Sequence, residues 1–113
     1  MTIQSFIKGA DFEGDRIKTQ VILETSFSKE IRILLPKGET MKDHKSPYPI
    51  IIQIVEGYIE LGVEGSFSLM QTGDVIDLKG GVMHNLIAKE NTIVRLTLSK
   101  HDKVERVNEV VNQ

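Results

Sequence analysis

Two histidines, His44 and His84, stand in two phrases of similar construction, each a glycine, a gap and a histidine. The first reads GETMKDHKSPYPIIIQIVEG from Gly38 and the second GDVIDLKGGVMHNLIA from Gly73. A neutral imidazole offers one nitrogen lone pair, so two imidazoles brought together make a partial site for a borderline transition metal, or a polar pair that binds water or a ligand. One short hairpin lies between the phrases, which lets both histidines face a common interior. Neighbouring donors are poorer. Asp43 adjoins His44, and strand alternation sends it to the opposite face unless a bulge intervenes. Gln53 meets the same parity obstacle relative to Ile50.

The elements that must position these side chains read as strands. Ile17–Leu23 and Glu30–Leu35 are short, rich in Ile, Leu and Val, and separated by the turn-like stretch at Thr25–Ser28. In the second, Ile31, Ile33 and Leu35 share a face at period two. Ile50–Val55 is apolar except for Gln53 and rich in β-branched residues, a strand buried over most of its surface. Ile59, Leu61 and Val63 alternate with polar or small residues before Glu64-Gly65 and return through Phe67 and Leu69, a tight hairpin. Val75–Leu78, Asn85–Ala88 and Thr92–Leu98 continue the series at the spacing of a sandwich or barrel. The tail differs. Asp102 and Glu105 have the spacing of a capping box, and Val104, Val107, Val110 and Val111 recur at helical intervals, predicting a short helix over 102–113. Residues 1–16 read as an arm, 17–100 as the barrel.

Composition narrows the function classes. The chain has 113 residues, 40% apolar and 27% charged, enough for one domain. No apolar run approaches the roughly 20 residues of a membrane span, and the N-terminus lacks the pattern of a secretory signal, so the expected location is cytoplasmic with no membrane partner. The absence of cysteine excludes disulfides, thiolate metal sites and cysteine nucleophiles. A net charge of -2 and 5% aromatic residues, with no Trp, argue against direct nucleic-acid binding.

The two phrases resemble the paired motifs of the cupin superfamily, small jelly-roll β-barrels. In the first motif, Gly38, His44 and Gly57 match, while Ser46 stands at the second histidine position and Ile50 at the glutamate position. In the second, Gly73, Gly81 and His84 match, with Lys79 in place of a proline and Ala88 in place of an asparagine. The resemblance implies an all-β, single-domain cupin-type jelly roll (a double-stranded β-helix). It also implies a ligand pocket drawn from His44, Ser46, Tyr48, Ile50, Ile52, Met83 and His84. One divalent ion (Zn, Fe, Mn or Ni) would be held by His44 and His84 in a degenerate site. Ile50 cannot ligate, and a serine hydroxyl stays protonated near neutral pH.

Ile50 and Ile52 on one side give an apolar floor suited to a small ligand with an apolar body and one polar group. Tyr48 reads either as a surface or dimer-contact aromatic or as a lid. Met41 and Met83 read as barrel core, with an apolar pocket wall as the alternative. Three functions stay open: a small-molecule-binding barrel; a metal-dependent dioxygenase or isomerase using His44 and His84; and metal-free epimerisation, pairing a histidine base with Tyr48 or Tyr58. A homodimer that covers an apolar sheet face such as that of Ile50–Val55 is expected.

Overall fold

Runs of β-branched residues at period two fold into nine strands in the computed structural model, which describes residues 1–112. They are β1 (Lys18–Glu24), β2 (Ser28–Leu35), β3 (Thr40–His44), β4 (Ile50–Glu56), β5 (Tyr58–Val63), β6 (Ser66–Gln71), β7 (Val75–Leu78), β8 (His84–Ala88) and β9 (Thr92–Ser99), followed by a helix, α1 (Val104–Val111). All pairings are antiparallel, in two sheets ordered β1-β2-β9-β4-β7 and β3-β8-β5-β6. Consecutive strands repeatedly cross from one sheet to the other, which wraps the chain into a jelly roll.

Burial follows the alternation. Ile50, Ile52 and Ile54 face inward from β4, while Ile51 is 42% exposed on the outer side. Ile31, Ile33 and Leu35 of β2, Leu86 and Ala88 of β8, and Val94, Leu96 and Leu98 of β9 meet them in the core between the sheets, with Met41, Ile59, Leu61 and Met70. Val107 and Val110 of α1 join that same core, so the helix closes one end of the barrel. The helical spacing of the valines is thus used for packing. Gln113, the last residue of the expected 102–113 helix, lies outside the described residues.

One local expectation is corrected, and one strand is added. The segment after Gly38 contains a strand, β3, that its polar sequence did not announce. The capping box is not made: Lys103 is the N-cap, and its side chain makes no cap bond. The Asp102 carboxylate is instead engaged by Arg106, one turn into the helix.

The N-terminal arm lies over the outer face of the five-stranded sheet. Arg32, only 6% exposed, donates to the carbonyls of Lys8 and Gly9 and to Gln20 Oε1. Phe6 lies 5.2 Å from the Arg95 guanidinium, a cation–π contact.

Candidate functional site

His44 and His84 are direct cross-strand partners in the β3–β8 pair. Simple alternation from Met41, which is buried, would turn His44 outward, because it lies an odd three positions further on. A register shift between Met41 and His44 restores the inward direction. Asp43 is left on the outside, where its carboxylate accepts a 2.7 Å hydrogen bond from Asn85 Nδ2. Gly62 on β5 makes room for that pair, since a Cβ there would sit 2.6 Å from Asn85 Nδ2. The bulge therefore serves the histidine and not the aspartate.

The two imidazoles meet edge to face, with ring centroids 4.2 Å apart. Each Nδ1 lies against the carbonyl two residues earlier: His44 against Lys42 O at 2.6 Å, and His84 against Val82 O at 3.0 Å. A carbonyl can only accept, so both Nδ1 atoms carry the proton and donate it. Both Nε2 atoms then present bare lone pairs while the rings are neutral. Burial is the main reason they stay neutral, and it holds His44 down to about 4. The hydrogen bond to Lys42 O works the other way; His84 and Arg106 add to the depression. The His84 pKa is likewise lowered, by burial first and then by Arg106.

The cavity between them is about 20 Å³, space for one water molecule or one ion. Its walls are Ile33, Met41, Ile50, Ile52, Leu86, Val94 and Leu96 of the barrel, with Arg106, Val107 and Val110 of α1 as the roof. Arg106 is the polar lining residue that the sequence reading did not place in the pocket. It comes from the far end of the chain, and its i,i+4 spacing from Asp102 was the available signal. Its Nε and Nη2 donate to Asp102 Oδ1 and Oδ2 at 3.0 and 2.8 Å. Asp102 also accepts from Ser46 Oγ at 2.6 Å and from the Lys103 N–H at 2.8 Å. Burial tends to raise the Asp102 pKa, but Arg106, Ser46 and the Lys103 N–H outweigh it and hold the carboxyl below its usual range.

Of the residues expected in the pocket, His44, Ile50, Ile52 and His84 line the cavity, and three do not. Ser46 is buried but turned to Asp102, where it ties the β3–β4 loop to the root of α1. Tyr48 is 38% exposed and tilts toward His101 at 6.2 Å, away from the cavity. Met83, expected in the core, is 41% exposed on the β7–β8 loop. The chain leaves β3 at His44, so strand parity no longer governs residues 45–49. Neither Tyr48 nor Tyr58 lines the cavity, which removes the tyrosine acid that metal-free epimerisation would need.

The lowered histidine pKa values fix a pH dependence. An unfolded histidine takes up a proton near 6.5, whereas folded His44 resists until about 4. The unfolded state therefore binds more protons between those values, and stability falls as pH drops from about 6.5 to about 4, by on the order of 2–3 kcal/mol. Above that window the contribution is complete. Urea denaturation at stepped pH should show this loss, and His44→Ala should flatten it; an unchanged profile in the variant would contradict the assignment. Below the window, Asp102 and Glu30, both lowered, give up further stability as pH falls through their folded values. Glu30 is also desolvated, and hydrogen bonds from Ser28, Thr97 and Arg95 overcome that penalty.

Comparison with known proteins agrees with this architecture. An RmlC-like cupin protein from Desulfovibrio desulfuricans superposes with a TM-score of 0.78 at 18% identity, over 88% of this chain and 96% of that one. A conserved protein of unknown function from Streptococcus pyogenes gives 0.70 at 20% identity, over 91% and 98%. KdgF from Halomonas sp. gives 0.71 at 19% identity, over 82% and 86%. No family model matches the sequence, and no curated protein matches it. The chain has the cupin fold, a double-stranded β-helix. No helix among the described residues is long and apolar enough to cross a membrane.

Proposed function

We propose that this cupin-fold chain is a small-molecule-binding barrel whose polar pole is one divalent ion held by Nε2 of His44 and Nε2 of His84. The observation that carries the reading is the pair of Nδ1–H bonds to Lys42 O and Val82 O, which leaves two neutral nitrogen lone pairs at a void of ionic size. Backbone bonding of the distal imidazole nitrogen is the usual way a protein fixes the ligating tautomer.

The donor set is partial. Among the described residues no group of three or more His, Cys, Asp and Glu side chains converges. Two neutral nitrogens suit Zn, Fe, Mn or Ni and leave positions for the ligand. A bound ion would supply Lewis-acid polarisation of a ligand oxygen. The chain's own residues do the rest. Arg106 spends Nε and Nη2 on Asp102, and its Nη1 remains to donate to an anionic oxygen. The apolar walls accept the body of the ligand and exclude water. The void as it stands holds no more than the ion, so a carboxylate-type small molecule with an apolar body is admitted only when α1 shifts outward and widens it, with Arg106 remaining at the rim.

Binding is favoured over turnover, because the lining residues other than the two histidines include no side chain suited to proton transfer at neutral pH. The metal-dependent dioxygenase or isomerase reading would require the ligand to bring that group. The test is the melting temperature of the wild type and of His44→Ala/His84→Ala with Zn²⁺, Mn²⁺ and Ni²⁺. At about 100 times Kd the ion adds about 2.7 kcal/mol, roughly a 10 °C rise, in the wild type and not in the variant. No shift with any ion, or equal shifts in both proteins, would overturn the metal-holding role.

A further inference from the structure

Arg32 carries a charge that no carboxylate answers among the described residues, although it is only 6% exposed. It stands directly opposite Arg95 of β9, a register in which like charges repel. Glu30 neutralises Arg95, accepting from its Nε at 3.0 Å. Arg32 has only neutral oxygens. Its Nη1 donates to Lys8 O at 2.9 Å, its Nη2 to Gln20 Oε1 at 2.8 Å and to Gly9 O at 3.5 Å, and its Nε–H is enclosed with no acceptor. A buried guanidinium in that state lacks a counter-charge and one hydrogen bond, both of which an anion would supply. Lys18, on the neighbouring strand, repeats the pattern: its Nζ donates to Asp11 O at 2.9 Å, and it too forms no ion pair.

The three main-chain carbonyls on these two cations belong to one short stretch of the arm, residues 8–11. That stretch makes no main-chain hydrogen bond to a strand among the described residues; its Ala10 N–H bonds locally, to Ile7 O at 3.1 Å. Phe6 on the Arg95 guanidinium adds a further hold. The arm can therefore leave the sheet without breaking a β ladder. Two clefts, of about 270 and 380 Å³, share Arg32, Gln20 and Gly9 in their walls, and Lys18 borders the smaller.

We propose that Arg32 and Lys18 form a binding site for a phosphate group, outside the barrel and independent of His44 and His84, over which residues 8–11 lie as a displaceable strap. The arm carbonyls hold the places of phosphate oxygens. They are a poor substitute, because they bring dipoles in place of charge and leave Nε unserved. Two phosphate oxygens take Nε and Nη2 side by side, the two-point contact that a guanidinium makes best, and a third meets Lys18. A carboxylate offers two oxygens and a single charge, so it is the weaker ligand. The Asp11 carboxylate borders the smaller cleft and opposes an anion there. It is bonded within the arm, to the Glu13 N–H at 2.8 Å, and departs with the strap.

Strap and anion compete, so the apparent affinity is the intrinsic affinity scaled by the fraction of molecules with the strap open. Loosening the strap should then tighten binding. That sign separates a covered site from general attraction to surface lysines.

Isothermal titration calorimetry of the full chain with inorganic phosphate, at ionic strength held constant with chloride, tests this. The wild type should bind one phosphate per chain, at least about tenfold more tightly than acetate. Arg32→Met keeps the buried stem and should abolish binding; if it does not fold, Arg32→Lys, which keeps the charge without the fork, should weaken binding at least about fivefold. Lys18→Met should weaken it by a similar factor. Phe6→Ala removes the contact with Arg95 and should tighten binding about threefold to tenfold. Glycerol 3-phosphate distinguishes a monoester from the free ion, the tighter of the two being the group the cleft accepts. No binding in either the wild type or Phe6→Ala, unchanged affinity in the folded Arg32 variant, phosphate no tighter than acetate, or a Phe6→Ala affinity equal to or weaker than wild type would each overturn the proposal.

Discussion

Replacing Asp102 with alanine is expected to destabilise the protein by about 3 kcal/mol and to detach α1 from the barrel, because a largely buried charge pair loses one partner. Asp102 is 3% exposed, and its carboxylate holds Arg106 in a two-point contact while accepting from Ser46 and the Lys103 N–H. Its carbonyl takes Lys29 Nζ at 2.8 Å. Arg106, with a side chain 21% exposed, would be left beside two neutral imidazoles without its counter-charge. The Ser46 hydroxyl would be unpaired in a buried position, which adds to the loss. Amide exchange over 104–111 should then speed up far more than exchange in β2 or β9. Asp102→Asn keeps the shape and part of the bonding, so its cost should be about half. A change below about 1 kcal/mol for the alanine variant would show that the helix is held by Val107 and Val110 alone.

Gly57→Ala is expected to cost about 3–4 kcal/mol, or to prevent folding, for two additive reasons. The residue adopts φ +128°, a region that side chains rarely enter. An added Cβ would also sit 2.7 Å from Thr92 Cα and against its hydroxyl, and that hydroxyl accepts the Tyr58 N–H. Gly65, at φ +84° with nothing within 4 Å of an added Cβ, separates the two causes. Gly65→Ala carries backbone strain alone, about 1–2 kcal/mol. Equal losses at the two positions in urea denaturation would show that Thr92 yields without cost.

The strands were legible where burial is two-sided or strictly alternating. Ile50 to Val55 and the Glu64-Gly65 hairpin announced themselves through β-branched runs and turn chemistry. β3 did not, because Thr40, Lys42 and Asp43 face solvent and the register shift before His44 breaks the period that would have marked a strand. The site was half legible for the same reason. His84, Ile50 and Ile52 sit on strands where parity holds, while His44 was marked by its motif alone, since the register shift breaks its parity. Ser46, Tyr48 and Met83 sit on loops whose directions are set by tertiary partners: Asp102 for Ser46, solvent for Met83. Arg106 was hidden because a helix from the chain's far end becomes a wall through long-range packing, and Asp102, its partner, read as a capping-box residue paired with Glu105. Local spacing cannot tell those two uses of one carboxylate apart.

A metal-holding role requires His44 and His84 to bind one ion together. The decisive measurement is elemental analysis of untagged protein, purified without chelator and exchanged into excess Zn²⁺ and then into metal-free buffer, beside His44→Ala/His84→Ala. About one zinc per chain in the wild type, absent from the folded variant, is the predicted result. No retained metal in the wild type, or equal zinc in both proteins, would contradict it and leave a metal-free pocket defined by Arg106 and the apolar walls.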